Sequence, residues 1–229
     1  VRIPRLLLDR VSGAGLAIPW FQKPIDVALV ERAAALFPPL GSARGWSATF
    51  GRELNASEDR ESFRPPGAGL PIAEGRHIEP FSTDLRSARH SIARRDAARL
   101  LPDGRYDRAR LAYRDVAGAT NRLTLIAAVL PPGCVSTHTL FCLRSPLALA
   151  DQHLLCGLFN SFVVNFLVRL QVTLHVTTRV VERLPIPTRE HAPAAAREIA
   201  ALARWLARRA DPGAFARLQA RVAELYQLT

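Results

Sequence analysis

Apolar positions along this chain follow two rhythms, one helical and one extended. In "KPIDVALVERAAALFPPL" the residues Ile25, Ala28, Leu29, Ala33, Leu36 and Phe37 recur on one helical face. Pro24 suits a first helical position, and Pro38 with Pro39 ends the run. Upstream, "PRLLLD" is a short strand candidate. Turn formers dominate residues 41–80, with "RPPGAGLPIAEGR" the clearest loop. Three strand-like runs follow, "RARLAYRDVA", "RLTLIAAVLP" and "HTLFCL". The unbroken apolar stretch at 123–130 suits a central strand covered on both faces.

Beyond them, "LADQHLLCGLFNSFVVNFLVRLQ" carries Leu154, Leu158, Phe162, Phe166 and Leu170 at i+4 spacing, which predicts one long helix packed across the sheet. After "VTLHVTT" and "ERLPIP", two helices are expected, one from Pro193 to about Arg209 and one capped by Asp211 and started by Pro212. Phe215, Leu218, Val222 and Leu225 repeat the 3,4 spacing of Ile199, Leu202 and Leu206, the mark of an antiparallel helical hairpin. The expected architecture is α/β (α+β): a mixed β-sheet packed with helices over residues 1–187, then a hairpin over 188–229 that spaces the domain or docks it.

Composition adds a charge bias. With 31 basic against 20 acidic residues the net charge is +11, and Lys23 is the single lysine. Such an excess attracts polyanions, nucleic acid above all, whereas 48% hydrophobic content excludes wholesale disorder. Arginines crowd residues 84–115 among five aspartates, so a salt-bridge-laced surface is the competing reading there. Cys134, Cys142 and Cys156 are odd in number, lie in apolar surroundings and lack CxxC spacing, which predicts buried free thiols in a reducing, cytoplasmic compartment. Residues 154–170 include Asn160, Ser161, Asn165 and Arg169, so a buried helix is expected there and no membrane span. The chain opens without methionine on a strand-like run, as an excised piece of a longer protein would.

Common catalytic constellations are missing. Gly13 and Gly15 have Ile18 where a dinucleotide fingerprint needs its third glycine. No GxSxG elbow is present, and His77, His90, His138, His153, His175 and His191 show no metal-ligand spacing. Lys23 lacks the carboxylate two positions earlier that a magnesium-dependent nuclease would place beside it. On its own this segment is not expected to be a catalyst.

The corner between the first two strands, "YRDVAGATNRLTLIAAVLPPG", is polar where the following strand is apolar. Together with "FGRELNASEDRESF", "LPIAEGRHIEPF", "LLCGLFNSFVVNFLVR" and "ERLPIP", in that order, it resembles the carboxy-terminal region of type IIG restriction-modification enzymes and related adenine-specific DNA methyltransferases. The closing helices, ending in "VAELYQL", also resemble the ends of such enzymes and of type I specificity subunits. The resemblance implies a target-recognition domain that reads duplex DNA in the cytoplasm as part of phage defence. An upstream methyltransferase or nuclease domain of the same polypeptide would do the chemistry. S-adenosylmethionine, and magnesium if cleavage accompanies methylation, would belong to that part and not to this one. None of the Pro-Pro pairs at 38/39, 65/66 and 131/132 follows Asn or Asp, so the Asn-Pro-Pro-aromatic motif of amino methylation is absent here. The family often shows Thr-Asn-x-Arg-Thr where this chain has Thr120, Asn121, Arg122, Leu123 and Thr124; the arginine stands one place early, which in a strand sends it to the opposite face.

Base edges are read chiefly by Arg to guanine and by Asn or Gln to adenine, while other cations hold phosphates. The DNA-contact candidates are therefore Arg52, Asn55, Arg76, His77, Arg114, Asn121, Arg122 and Arg179. Three alternatives stay open beside them. Arg114 and Asp115 pair with each other, Thr120 and Asn121 only turn the chain, and Asn160 and Ser161 bond backbone inside the core. The competing function is a protein-interaction module that docks other subunits without reading DNA.

Overall fold

The computed structural model describes residues 3, 19–116, 121–172 and 174–228. The "PRLLLD" strand candidate, the Gly13–Gly15 turn and Thr120 lie outside the described residues. Among the described residues there are seven helices and ten short strands, so the mixed class expected from the sequence holds.

Helix α1, Pro24–Leu36, begins at Pro24 as expected, and the Asp26 carboxylate accepts the backbone N–H of Gln22 and Lys23 at 2.8 Å each. That bond turns Asp26 inward, so the buried face is Asp26, Val27, Val30 and Ala33, while Ile25 stays 56% exposed. The face predicted from Ile25, Ala28 and Leu29 is thus rotated.

Residues 41–80 are more ordered than their turn formers suggest. They hold β1 (Phe50–Gly51), β2 (Phe63–Arg64), β3 (Leu70–Ala73) and β4 (Ile78–Glu79). Strand β5 is Ser82–Thr83, β6 is Ser91–Ile92, and helix α2 is Arg94–Leu100. Strands β7 (Arg110–Arg114), β8 (Ala127–Leu130), β9 (Val135–Ser136) and β10 (Leu140–Leu143) follow. The principal sheet has the order β1-β10-β7-β8, all antiparallel, with Tyr113 opposite both Phe141 and Ala127. A second sheet, β2-β6-β3-β9, is mixed because β3 and β9 run parallel, and β4 with β5 forms a hairpin.

The central strand is β7, not the apolar stretch at 123–130. Leu111 and Tyr113 face the helices, and Ala112 faces the small sheets. Only residues 127–130 of that stretch are strand, and they lie at the sheet's edge. Asn160 covers part of the edge: its Oδ1 accepts the Ala127 N–H at 3.1 Å and its Nδ2 donates to the Ala127 carbonyl at 2.8 Å. Phe81 N–H donates to the same carbonyl at 2.9 Å. An edge satisfied by side chains no longer templates another strand.

The long helix expected at 149–171 is two. Helix α3, Leu149–Phe159, stops at Asn160, and Ser161 caps α4, Phe162–Arg169, accepting the Val164 N–H at 3.2 Å. Asn160 and Ser161 do bond backbone inside the core, and that is what breaks the helix. Helix α5 is Thr178–Arg183, and the hairpin pair is α6, Pro193–Leu206, and α7, Pro212–Leu225, with Asp211 capping α7 as expected. The pair packs on α3 and shares its core: Ile199, Leu202, Leu218 and Val222 are buried with Leu155 and Phe159. Gly157 permits the approach, since a Cβ there would meet Ile199 Cγ2 at 2.6 Å.

A buried ion pair ties the two β layers together. Arg110 on β7 and Glu53 after β1 are 4% and 0% exposed, and Glu53 Oε2 also accepts the Ser136 N–H and hydroxyl. Burial alone would lower the Arg110 pKa, but the hydrogen bonds and charge of Glu53 reverse that and raise it. The arginine crowd at 84–115 is largely laced to carboxylates: Arg86 to Asp84, Arg94 to Asp107, Arg105 to Asp103. No helix of the described residues is long and apolar enough to cross a membrane.

Candidate nucleic-acid interface

Asn121 and Arg122 sit at the mouth of the principal sheet, just before the edge strand β8, and both are exposed. Their backbone is held from α4. Arg169 Nη2 donates to the carbonyls of Asn121 at 2.6 Å and Arg122 at 2.7 Å, and its Nε donates to Thr124 Oγ1 at 2.8 Å. Asn165, 2% exposed, accepts the N–H of Thr124 at 2.6 Å and Leu125 at 2.7 Å. Its Nδ2 donates to the carbonyls of Phe159 and Ser161 at 2.8 Å each. Residues 121–126 are therefore not strand, and the side-to-side alternation that would turn Arg122 to the far face does not apply to them. The segment is irregular but clamped, because α4 supplies the hydrogen bonds that a neighbouring strand would.

Arg122 lies over two aromatic rings, with its guanidinium carbon 5.2 Å from the centroids of both Phe162 and Phe215. No carboxylate pairs with it, and no hydrogen bond restrains the Asn121 amide among the described residues. The other mouth cations are neutralised. Arg114 Nη2 donates to Glu79 Oε1 at 2.9 Å and to the Ile78 carbonyl. Arg76 pairs with Glu74. The Arg114–Asp115 pair left open as an alternative does not form; each residue pairs elsewhere, because neighbours in a strand point to opposite faces. Asp115, 8% exposed in its side chain, pairs with Arg52 at 3.0 Å and faces His175 Nδ1 at 3.2 Å.

Four of the eight candidates come together. Arg114, Asn121 and Arg122 line a cleft of about 950 Å³, and Arg76, Arg114 and Asn121 line an adjoining one of about 550 Å³. The other four stand apart. Arg52 is half-exposed between Asp115 and the Phe141 ring, 5.0 Å from its centroid. Asn55 Oδ1 accepts the Ser57 N–H at 3.0 Å and so closes a turn. Arg179 is exposed on α5. His77, expected to face DNA, is only 3% exposed, and its Nδ1 accepts the Glu74 N–H at 2.9 Å. Burial is the main cause that keeps its pKa below the ordinary value, so it is neutral near pH 7 and packs as part of a turn.

The larger cleft has a wall that the sequence did not announce. Its far side is the hairpin, from Leu206 through Asp211 to Phe215 and Gln219, and its floor is Phe81, Leu123 and Ile126. Gln219 fixes that wall to the helix break, accepting the Phe162 N–H at 2.7 Å and donating to the Asn160 carbonyl at 3.2 Å. Phe215 followed the apolar stripe of its helix, but nothing in that stripe marked it as a neighbour of Arg122. Among the described residues no cluster of three or more His, Cys, Asp or Glu is placed to hold a metal ion.

No family model matches this chain, and no curated protein matches it. Among solved structures the chain is similar to one from "Structural basis underlying complex assembly and conformational transition of the type I R-M system", at 16% identity and a TM-score of 0.40. The match covers 88% of this chain and 52% of that one, so this chain spans about half of its length.

Proposed function

We propose that this chain reads duplex DNA as the specificity module of a restriction-modification methyltransferase whose catalytic part lies upstream. The observation that carries the proposal is the contrast at the sheet mouth. The backbone of residues 121–125 is clamped by Asn165 and Arg169, while the Asn121 and Arg122 side chains are exposed and have no hydrogen-bond partner among the described residues. Readout needs donors held in position on a rigid base, and Asn and Arg are the side chains that pair bidentately with adenine and guanine. The net charge of +11 supplies the sequence-independent attraction. The ordered sequence blocks that resemble adenine-specific enzymes supply the restriction-modification context, and S-adenosylmethionine chemistry is assigned to the upstream part.

Selection from a pool of random duplexes at low and high salt tests this reading. A recovered motif, with affinity falling as salt rises, is the expected result. Recovery of no motif, or salt-independent binding, would overturn it.

A second reading, docking of the upstream domain, is favoured by exposed apolar side chains. Trp20 at 73%, Ile25 at 56% and Leu174 at 55% are large apolar side chains left exposed, which a docked domain would cover. If docking is the sole role, the upstream domain should bind this chain tightly with no DNA present and duplex selection should fail.

A further inference from the structure

We propose that the larger cleft is a binding site for a single nucleobase, which would sit between the sheet mouth and the helical hairpin. Its volume of about 950 Å³ falls within the range of about 300 to 1,000 Å³ typical of small-ligand sites. Its lining has the composition such a ligand needs. Phe162 is 42% exposed although it opens a helix whose Val164, Asn165, Leu167 and Val168 are buried, and its ring meets Phe215 edge-on at 5.6 Å. Phe215 meets Phe81 edge-on at 6.1 Å, and Phe81, 4% exposed, backs the other two rings from the core. A planar heterocycle stacks on such rings whatever its sequence context.

The polar groups are the second half of the argument. The Arg122 guanidinium carbon lies 5.2 Å from the centroids of Phe162 and Phe215, and among the described residues no carboxylate pairs with its N–H groups. The Asn121 amide at the same rim has one donor and one acceptor side open, the pattern that matches the N6 and N7 edge of adenine. Arg114 is the third rim group, paired through Nη2 with Glu79 and suited to a phosphate only if that pair opens. Aromatic faces below and an amide and a guanidinium at the rim fit a base better than a fatty or anionic ligand. A fatty ligand would leave the two polar groups buried and unpaired, and an anion would meet Glu79 and Asp211.

The base has two sources, a free nucleotide or a base drawn out of a duplex; the second rests on the proposed DNA reading. Trp205 reports on the site, because its Nε1 donates at 2.9 Å to Asp211, a lining residue. Deoxyadenosine and deoxyguanosine monophosphates are titrated while Trp205 fluorescence is followed, with Trp205→Phe assigning the signal. In parallel, 2-aminopurine replaces each purine of a selected duplex in turn, and its fluorescence rises on unstacking.

Saturable quenching, or a rise at one duplex position, is the expected outcome. Phe162→Leu and Phe215→Leu keep apolar volume and lose the ring, and each should weaken the signal about tenfold. Asn121→Ala, which removes no side-chain hydrogen bond among the described residues, should weaken it without lowering the melting temperature. A dark duplex together with silent nucleotides overturns the cleft assignment, as does binding that ignores all three substitutions. Motif selection with a dark duplex and silent nucleotides would leave the DNA reading standing while the cleft fails. Nucleotide quenching without motif selection would do the reverse.

Discussion

Glu53 grips Arg110 with both carboxylate oxygens, Oε1 at 2.5 Å from Nε and Oε2 at 2.7 Å from Nη2, with neither side chain in contact with bulk water. The same carboxylate accepts Ser136 from β9, and Arg110 Nη2 donates to the Cys134 carbonyl at 2.9 Å. One ion pair thus joins β7 of the principal sheet to β9 of the second.

Removing either partner leaves the other charge buried and alone. Arg110→Met or Glu53→Gln is expected to cost about 3 to 5 kcal/mol in urea unfolding. The double variant should cost clearly less than the sum of the two, because it strands no charge. Additive losses would mean that the pair is not coupled.

Asn165 does the work of a missing strand for residues 124–125. Asn165→Ala should leave two buried backbone N–H groups unpaired and cost at least about 2 kcal/mol. Hydrogen exchange at the Thr124 and Leu125 amides should speed up more than at Leu111 or Tyr113 in β7. Uniform acceleration would instead mean global loosening.

Arg122 is held by ring faces and not by a carboxylate, so its replacements separate charge from shape. Arg122→Ala should relax preference at one position of the selected motif by about 1 to 3 kcal/mol. Arg122→Lys keeps the charge and loses the flat fork, so it should preserve salt-dependent affinity yet still lose discrimination. Unchanged preference in both variants would place readout elsewhere.

The three thiols are sealed, and burial pushes Cys142 and Cys156 up to about 12 and raises Cys134 as well. The fold prefers the protonated form, whereas the unfolded chain titrates near 9.0. Their contribution to stability is therefore complete below about pH 9 and lost as the pH climbs towards about 12. Urea midpoints should fall across that window, and the paired substitutions Cys142→Ala and Cys156→Ala should flatten the fall. A thiol reagent at neutral pH should find none of the three until denaturant is added.

Local signals carried the hairpin and failed where distant partners decide. Asp211 with Pro212 and the 3,4 spacing of Phe215, Leu218, Val222 and Leu225 are short-range features, and the two helices stand where those features put them. The apolar run at 123–130 looked like a strand, but Asn165, 40 residues away from Leu125, satisfies its first amides and frees it from pairing. The i+4 row from Leu154 to Leu170 looked like one helix because periodicity does not register an asparagine whose amide bonds both the Ala127 backbone and the Cys156 carbonyl of its own helix. Asp26 rotated α1 by accepting two amides of the preceding turn, a choice that hydrophobic spacing ignores. Of the cleft, Asn121, Arg122 and Arg114 were legible as a polar corner, whereas Phe215 and Gln219 belong to a helix about 100 residues later whose stripe spells only packing.

Because position 157 is a glycine, the α3 backbone meets the Ile199 and Ala203 side chains of α6 directly, and α7 is carried along by its packing on α6. Anything larger there would act as a wedge, tilting the helical pair and widening the aperture between Phe215 and Arg122 at its other end. The gauge of that cleft is thereby set from outside its own lining, and a single methyl group inserted remotely would be enough to reset it.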